Sequence, residues 1–318
     1  MKGFLKQRSE GSWTIVLYLG RDPVTGKTRQ KWHTINGNKK QAQAELNRFL
    51  HEIQTGSYTE PAKLTVKEYL VKWLADYAKV NVGAKTFERY SGIVRDHFVP
   101  ELGSIPLQKL QPLHVQACYS KQLLQGGRKD GREGGLSAQT VLHHHRVLSG
   151  ALKQAVRWQL VARNVCDAVE PPRPEFREMV ALEEARTAWL LDAALGTRLH
   201  IPILFAITTG MRRGEILAVR WQDTNLQSGW VTVRRSLQET KASGLTIKEP
   251  KSLRGRRRGR KPFTLPAIAI EMLESHRQEQ EKRRAVLGPE YEDNDLICCR
   301  DDGRFWPPSA FTSAYAIC

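Results

Sequence analysis

The apolar residues of this chain change their spacing along its length, and each change limits what the neighbouring residues can fold into. In SWTIVLYLG, residues Trp13, Ile15, Leu17 and Leu19 recur at every second position, which predicts a strand with one face toward a core. RDPVTGK supplies turn residues, TRQKWHTI a second strand, and FLKQR, ahead of both, a third. NKKQAQAELNRFLHEIQTG then switches to a helical period. Ala42, Leu46, Phe49, Leu50 and Ile53 form one stripe, and Gly56 is placed to stop the helix. Residues 1–57 are therefore expected to form a small three-stranded sheet carrying one helix.

SYTEPAK reads as a linker, and the period stays helical beyond it. Thr65-Val66-Lys67-Glu68 matches a capping box, and Val66, Tyr69, Leu70, Trp73, Leu74 and Tyr77 make the apolar face behind it. A second helix spans KTFERYSGIVRDHFVPELG, expected to end at Pro100 and Gly103. QPLHVQACYSKQLL opens on a proline, which the first turn tolerates. After the charged loop GGRKDGREGG come one long helix and a short one. Residues 64–171 are thus expected to be all-helical, and the proline-rich PPRPEFREM sets a boundary near Pro172. From 178 to 318 two helices precede short strands: GWVTVRRSLQ and LTIKEPKS flank the turn-like ETKASG, and KPFTLP follows. A helix, the apolar run DLICC and a final helix from SAFTSAY complete the chain. The fold class is α+β, mainly α.

Composition narrows the partners. A formal charge of +17 on a chain that is 40% hydrophobic describes a folded polycation, and nucleic acid is the first polyanion to consider. Lys27, Arg29, Lys31, Lys39 and Lys40 make the first segment basic, and a sheet carrying cations can enter a DNA groove. Five cysteines, two of them adjacent, lack metal-ligand spacing and read as reduced thiols of a cytoplasmic protein. Neither a signal peptide nor a transmembrane stretch is legible, so no membrane partner is expected. His143-His144-His145 are neighbours on one helix, point in different directions and cannot converge on one ion, so no metal site is expected there.

TTGMRRGEILAVRW sets Arg212 and Arg213 at the start of a helix that follows a buried run. This stretch resembles the first catalytic-arginine motif of the tyrosine recombinases, the phage-type site-specific integrases. Other segments resemble the same family in family order. GSWTIVLYLGRDPVTGKTRQKWHTI is similar to its arm-type DNA-binding domain. LTVKEYLVKWLADYA through WQLVARNVCDAV is similar to its helical, SAM-like core-binding domain. IKEPKS followed by arginines and FTLP is similar to its lysine-bearing hairpin, and DNDLICCRDDGRFWPPSAFTSAY to the segment before its second catalytic box.

The resemblance implies DNA integration and recombination through a 3′-phosphotyrosyl link, with no cofactor. It implies arm and core attachment sites in double-stranded DNA as partners, other recombinase protomers, and a cytoplasmic, nucleoid-associated location. Arg212 matches the arginine that holds the scissile phosphate; a guanidinium stays charged and can bond two phosphate oxygens at once. Glu215, three residues on, would orient it. Lys251 matches the hairpin lysine that protonates the leaving 5′ hydroxyl, with Lys248 the other candidate. Arg213, Lys248, Arg254, Arg256, Arg257 and Arg258 read as phosphate contacts alongside Lys27, Arg29, Lys31 and Lys39.

No His-x-x-Arg box succeeds Arg212: His143 and Arg146 have that spacing but precede Arg212 in the helical segment, and Tyr315, with no such box before it, is not read as the nucleophile. The expectation is a C-terminally truncated mobile-element recombinase with an incomplete catalytic domain, 178–318, inactive in strand cleavage, or a non-catalytic DNA-binding modulator occupying attachment sites. Apolar surface around Leu296, Ile297 and Phe311 is expected to be left uncovered.

Overall fold

The computed structural model describes residues 3–21, 26–54, 64–125, 133–176, 178–250 and 262–317. It divides into two units, Met1–Val82 with Arg89–Glu175, and Gly83–Glu88 with Phe176–Cys318. The fold is α+β and mainly α.

The first unit begins with β1 (Gly3–Ser9), β2 (Ser12–Arg21) and β3 (Thr28–Asn36), antiparallel in the order β1-β2-β3. Leu5 pairs with Ile15 and Ile15 with His33; Gly3 pairs with Leu17 and Leu17 with Lys31. That face carries α1 (Lys39–Gln54), and Ile15, Leu17 and Leu46 form its core with Leu5, Ile35, Phe49, Leu50 and Ile53 around them. The period-two strands and the helical stripe expected above are thus the two halves of one small core. Gly3 is a close approach, since a Cβ there would lie 2.9 Å from Leu46 Cδ1. Gly56 lies outside the described residues, as does the side chain of Leu19.

The same unit holds a helical bundle. The capping box at Thr65 forms: its hydroxyl accepts from the Glu68 N–H at 3.2 Å, and the Glu68 carboxylate accepts from the Thr65 N–H at 2.8 Å. It opens α2 (Val66–Trp73), which runs through a π-helical turn, Leu74–Ala78, to Asn81. Helix α3 (Ala84–Ile93) likewise passes a π turn, Val94–Phe98, into Val99–Leu102. The helix stops at Leu102 with Gly103 as its cap, as expected, and Pro100 sits within its last turn. The π turn ahead of it already resets the hydrogen-bond ladder, so the missing N–H falls within an interrupted register. Helix α4 (Pro112–Gln125) starts on its proline, and α5 (Ala138–Arg157) is capped by Ser137. Tyr69, Leu70, Phe98, Tyr119, Val141, Leu148 and Leu152 are buried among these helices.

The histidine triplet lies on α5, and its rings go three ways. His143 Nε2 meets Gln139 at 3.0 Å, His144 Nδ1 meets Gln122 Oε1 at 2.8 Å, and His145 Nδ1 meets the Tyr119 hydroxyl at 3.2 Å. His144 is buried against His97, ring centroids 4.4 Å apart.

The second unit contains α6 (Glu184–Ala193), α7 (His200–Thr209), the short α8 (Arg213–Ile216), α9 (Ala267–Leu287) and α10 (Pro308–Ile317). Its strands make two sheets: β4 (Thr224–Asn225), β5 (Trp230–Val231) and β8 (Phe263–Thr264) in the order β4-β5-β8, and a hairpin of β6 (Ser236–Thr240) and β7 (Gly244–Lys248). KPFTLP therefore pairs with β5 and not with the hairpin. In α7, Ile201, Pro202, Ile203, Leu204 and Phe205 are all buried, and Ile201, Ile203, Leu204 and Phe205 form the core with Leu217, Val231, Leu273, Ile297 and Trp306. The uncovered surface expected at Leu296, Ile297 and Phe311 is not there. Arg220 bridges to Leu296, Leu296 and Ile297 are fully buried, and Phe311 packs edge-on against Trp306 with centroids 5.2 Å apart. Among the described residues no helix is long and apolar enough to cross a membrane.

Candidate catalytic and DNA-binding site

The motif around Arg212 is built by two glycines. Gly210 ends α7 in the left-handed region, φ +64°, where its N–H returns to the Ala206 carbonyl at 3.1 Å. This turns the chain sharply, so Arg212 becomes the extended residue ahead of α8, φ −71° and ψ 149°. Gly214 lets α8 touch the hairpin: a Cβ there would sit 2.6 Å from the Leu237 carbonyl oxygen and 2.8 Å from Ser236 Oγ. Ser236 pairs with Lys248 across the hairpin, so the same close approach brings the end of β7 beside the helix that follows Arg212.

Glu215 holds the arginine from below. Its carboxylate accepts the Arg212 backbone N–H at 2.9 Å and Arg212 Nη1 at 3.2 Å. The Glu215 side chain is 7% exposed and that of Arg212 64% exposed. A buried anion thus orients a guanidinium whose remaining donors face outward, the arrangement required to receive an anion from solution.

Arg213 lies on the surface, and its Nη1 donates to Thr312 Oγ1 on α10. Glu239 of β6 grips the same helix, accepting the Ser309 hydroxyl and the Ser309 N–H, each at 2.9 Å. Those two donors hold the Glu239 carboxyl below the usual range. The Lys248 ammonium meets Gln238 Oε1 on the facing strand. Lys251, Arg254, Arg256, Arg257 and Arg258 lie outside the described residues. Of the first segment, Lys27 and Lys39 are exposed, and Lys31 stands opposite Leu17, on the helix-bearing side of β3. Arg29 is placed on β3 by its backbone alone.

The sequence reading missed a buried carboxylate. Asp223 is 5% exposed and accepts Arg220 Nε at 3.1 Å and Arg234 Nε at 3.0 Å. It ties the residues after α8 to the strand that leads into the hairpin. Arg235, next along, has Nε and Nη2 buried without a partner among the described residues, and burial pulls its affinity for protons down. The signal for Asp223 was present in WQD, preceded by Arg220, but its second partner is eleven residues away and meets it only in the fold.

An arginine oriented by a buried glutamate thus stands beside a lysine-bearing hairpin. Residues 65–123 match the model of the phage integrase N-terminal SAM-like domain. An integrase of Streptomyces ambofaciens is 26% identical over 299 residues, covering 90% of this chain and 70% of its own. A XerC-like tyrosine recombinase of Caldanaerobacter subterraneus is 22% identical, covering 88% of this chain and 71% of its own. Among solved structures, the Tn1549 transposon integrase aligns over 80% of this chain and 77% of its own, with a TM-score of 0.62 at 15% identity. Lambda integrase aligns over 98% and 82%, with a TM-score of 0.53 at 17% identity, and these two likenesses concern the fold. Along most of its length the chain is similar to integrases and tyrosine recombinases.

Proposed function

We propose that this protein binds attachment sites in double-stranded DNA for site-specific recombination, with Arg212 holding the scissile phosphate and Glu215 orienting it. The observation that carries this reading is the pairing of a buried Glu215 with a largely exposed Arg212 guanidinium. A surface ion pair would leave both partners in water; here only the anion is withdrawn, so the cation is aimed. Lys248 stands beside α8 and Lys251 follows three residues later, and either ammonium can protonate a leaving 5′ hydroxyl. Residues 1–57 serve the arm sites, 64–171 the core sites and 178–318 the chemistry. Lys27, Arg29, Lys31, Lys39, Arg213, Arg254, Arg256, Arg257 and Arg258 contact phosphates. Other protomers assemble on paired sites, and the bound DNA sets a nucleoid location.

A polypeptide of these 318 residues carries no His-x-x-Arg box after Arg212 and no tyrosine following one. By itself it binds DNA and does not cut it, since covalent catalysis needs a nucleophile. The net charge of +17 favours a second reading, a modulator that occupies attachment sites without chemistry. A nicked attachment-site duplex separates the statements. Salt-dependent retention without a covalent adduct is expected; an adduct overturns the inactivity, and no retention at any salt overturns DNA binding.

A further inference from the structure

Among the described residues, the strands of the Lys248 hairpin, β6 and β7, pair only with each other. Two strands alone are marginally stable, so the tilt of the hairpin depends on what its faces touch. Side chains alternate along β6: Leu237 and Glu239 share one face, Ser236 and Gln238 the other. Leu237 is buried in the core of its unit, which turns its face inward. Lys248, opposite Ser236 in register, falls on the outward face, where its ammonium meets Gln238 Oε1. Glu239 is the second foothold of the inward face, about 7 Å beyond Leu237 along the strand.

Glu239 grips the start of α10, and the sequence there shows why the helix needs it. The stretch WPPSAF sets Pro307 just ahead of the helix and Pro308 as its first residue. The residue ahead of a helix commonly offers a side-chain acceptor to the free N–H groups of the first turn. Proline has none to offer, and Pro308 has no N–H of its own. Ser309 brings the first N–H of the helix. Glu239, 70 residues upstream, accepts that N–H with one carboxylate oxygen and the Ser309 hydroxyl with the other, each at 2.9 Å. Its negative charge also suits the positive end of the helix. One turn further on, Thr312 receives Arg213 from α8, and α8 touches β6 at Gly214. A ring closes: α8 to α10 through Arg213, α10 to β6 through Glu239, and β6 back to α8 through Gly214.

We propose that Glu239 is a positioning residue: by capping α10 from the hairpin, it holds the lysine-bearing strand end beside Arg212. The proposal rests on the reading of Arg212 as the holder of the scissile phosphate, and it adds a residue that acts on that site through another side chain. Both Glu239 oxygens are engaged by Ser309, so the carboxylate serves geometry and not proton transfer.

The test uses the full chain and duplexes that it selects from random sequence, remade with one phosphate at a time replaced by a neutral methylphosphonate. In the parent, one position should weaken binding most, by about tenfold near 0.1 M salt, and Arg212→Ala should erase that penalty. Glu239→Ala should cut it to about threefold, half of one phosphate contact on a logarithmic scale. Lys248→Gln or Lys251→Gln should lower it as far, and Glu239→Ala added to that lysine variant should lower it no further, since the two act at one place. Glu239→Gln keeps an acceptor for the Ser309 N–H and should retain the penalty of the parent. Ser309→Ala loses one of the two bonds and should fall between; should Glu239→Ala lose its fold by circular dichroism, Ser309→Ala carries the same comparison. A merely structural role would weaken all duplexes alike and leave the penalty unchanged, and that result overturns the proposal. So does a glutamine variant that behaves as the alanine one, or a penalty that neither lysine variant lowers. An Arg212→Ala variant that keeps the full penalty removes the underlying reading instead.

Discussion

Helix propensity and tertiary packing give opposite answers for Gly214, and the difference is measurable. In an exposed helix, glycine to alanine stabilises by about 0.5–1 kcal/mol because alanine has less backbone freedom to lose. At Gly214 the added Cβ would lie 2.6 Å from the Leu237 carbonyl oxygen and 2.8 Å from Ser236 Oγ. The first of these atoms is backbone in a paired strand, so the helix and hairpin must separate by several tenths of an ångström. Overpacking of this kind costs about 1–3 kcal/mol, which exceeds the propensity gain and leaves a net loss of about 1–2 kcal/mol. Gly150, in the middle of α5 with nothing within 4 Å of its built Cβ, is the control. Each substitution falls in a different unit. Thermal unfolding followed by circular dichroism should show Gly214→Ala lowering the transition of its unit by roughly 3–8 °C and Gly150→Ala raising its own by roughly 1–4 °C. Hydrogen exchange should locate the first effect in α8 and β6. A Gly214→Ala protein as stable as the parent would refute the close approach, and with it the placement of the hairpin beside Arg212.

Two further predictions concern charge. His144 is buried against His97, and burial first, then the charges of His97, Arg89 and His143, lower its pKa to about 4. The unfolded chain binds a proton near the ordinary value of 6.5 while the folded one does not. Stability of the helical unit should therefore fall as pH drops from about 6.5 to about 4, by roughly 3 kcal/mol, and level off below. Urea midpoints at pH 7 and 5, compared with those of His144→Gln, check this; a parent and a variant with the same pH slope would show that His144 does not carry it. Neutralising Arg254, Arg256, Arg257 and Arg258 together should weaken DNA binding evenly across sequences and reduce the salt slope by about one for each phosphate that is no longer neutralised. A gel-shift series over salt measures it, and an unchanged slope would remove this run from the interface.

Much of the fold was written in short-range pattern. The alternation of Ile15 and Leu17, the stripe of Ala42 and Leu46, and the capping box at Thr65 each depend on residues a few positions apart, and all three appear as expected. The π turn ahead of Pro100 was not legible, because a π turn is a property of the hydrogen-bond ladder that residue type does not announce. Nor did Leu296 and Ile297 prove exposed. Their cover comes from α9 and from the bridge to Arg220, which are distant in sequence.

The candidate site divides along the same line. Arg212 and Glu215 were legible because one helical turn links them, and the glycines around them follow from the same few residues. Three-dimensional packing alone decided that Glu215 is buried while Arg212 is presented, that Gly214 touches Leu237, and that Asp223 holds Arg220 and Arg234 together. It also separated the two faces of the first sheet, turning Lys31 toward the helix-bearing side and leaving Trp32 outward. Residue type and spacing determine which groups a chain has to offer. Burial depends on what arrives from elsewhere in the chain, and burial is what aims a charge or leaves an aromatic ring in solvent.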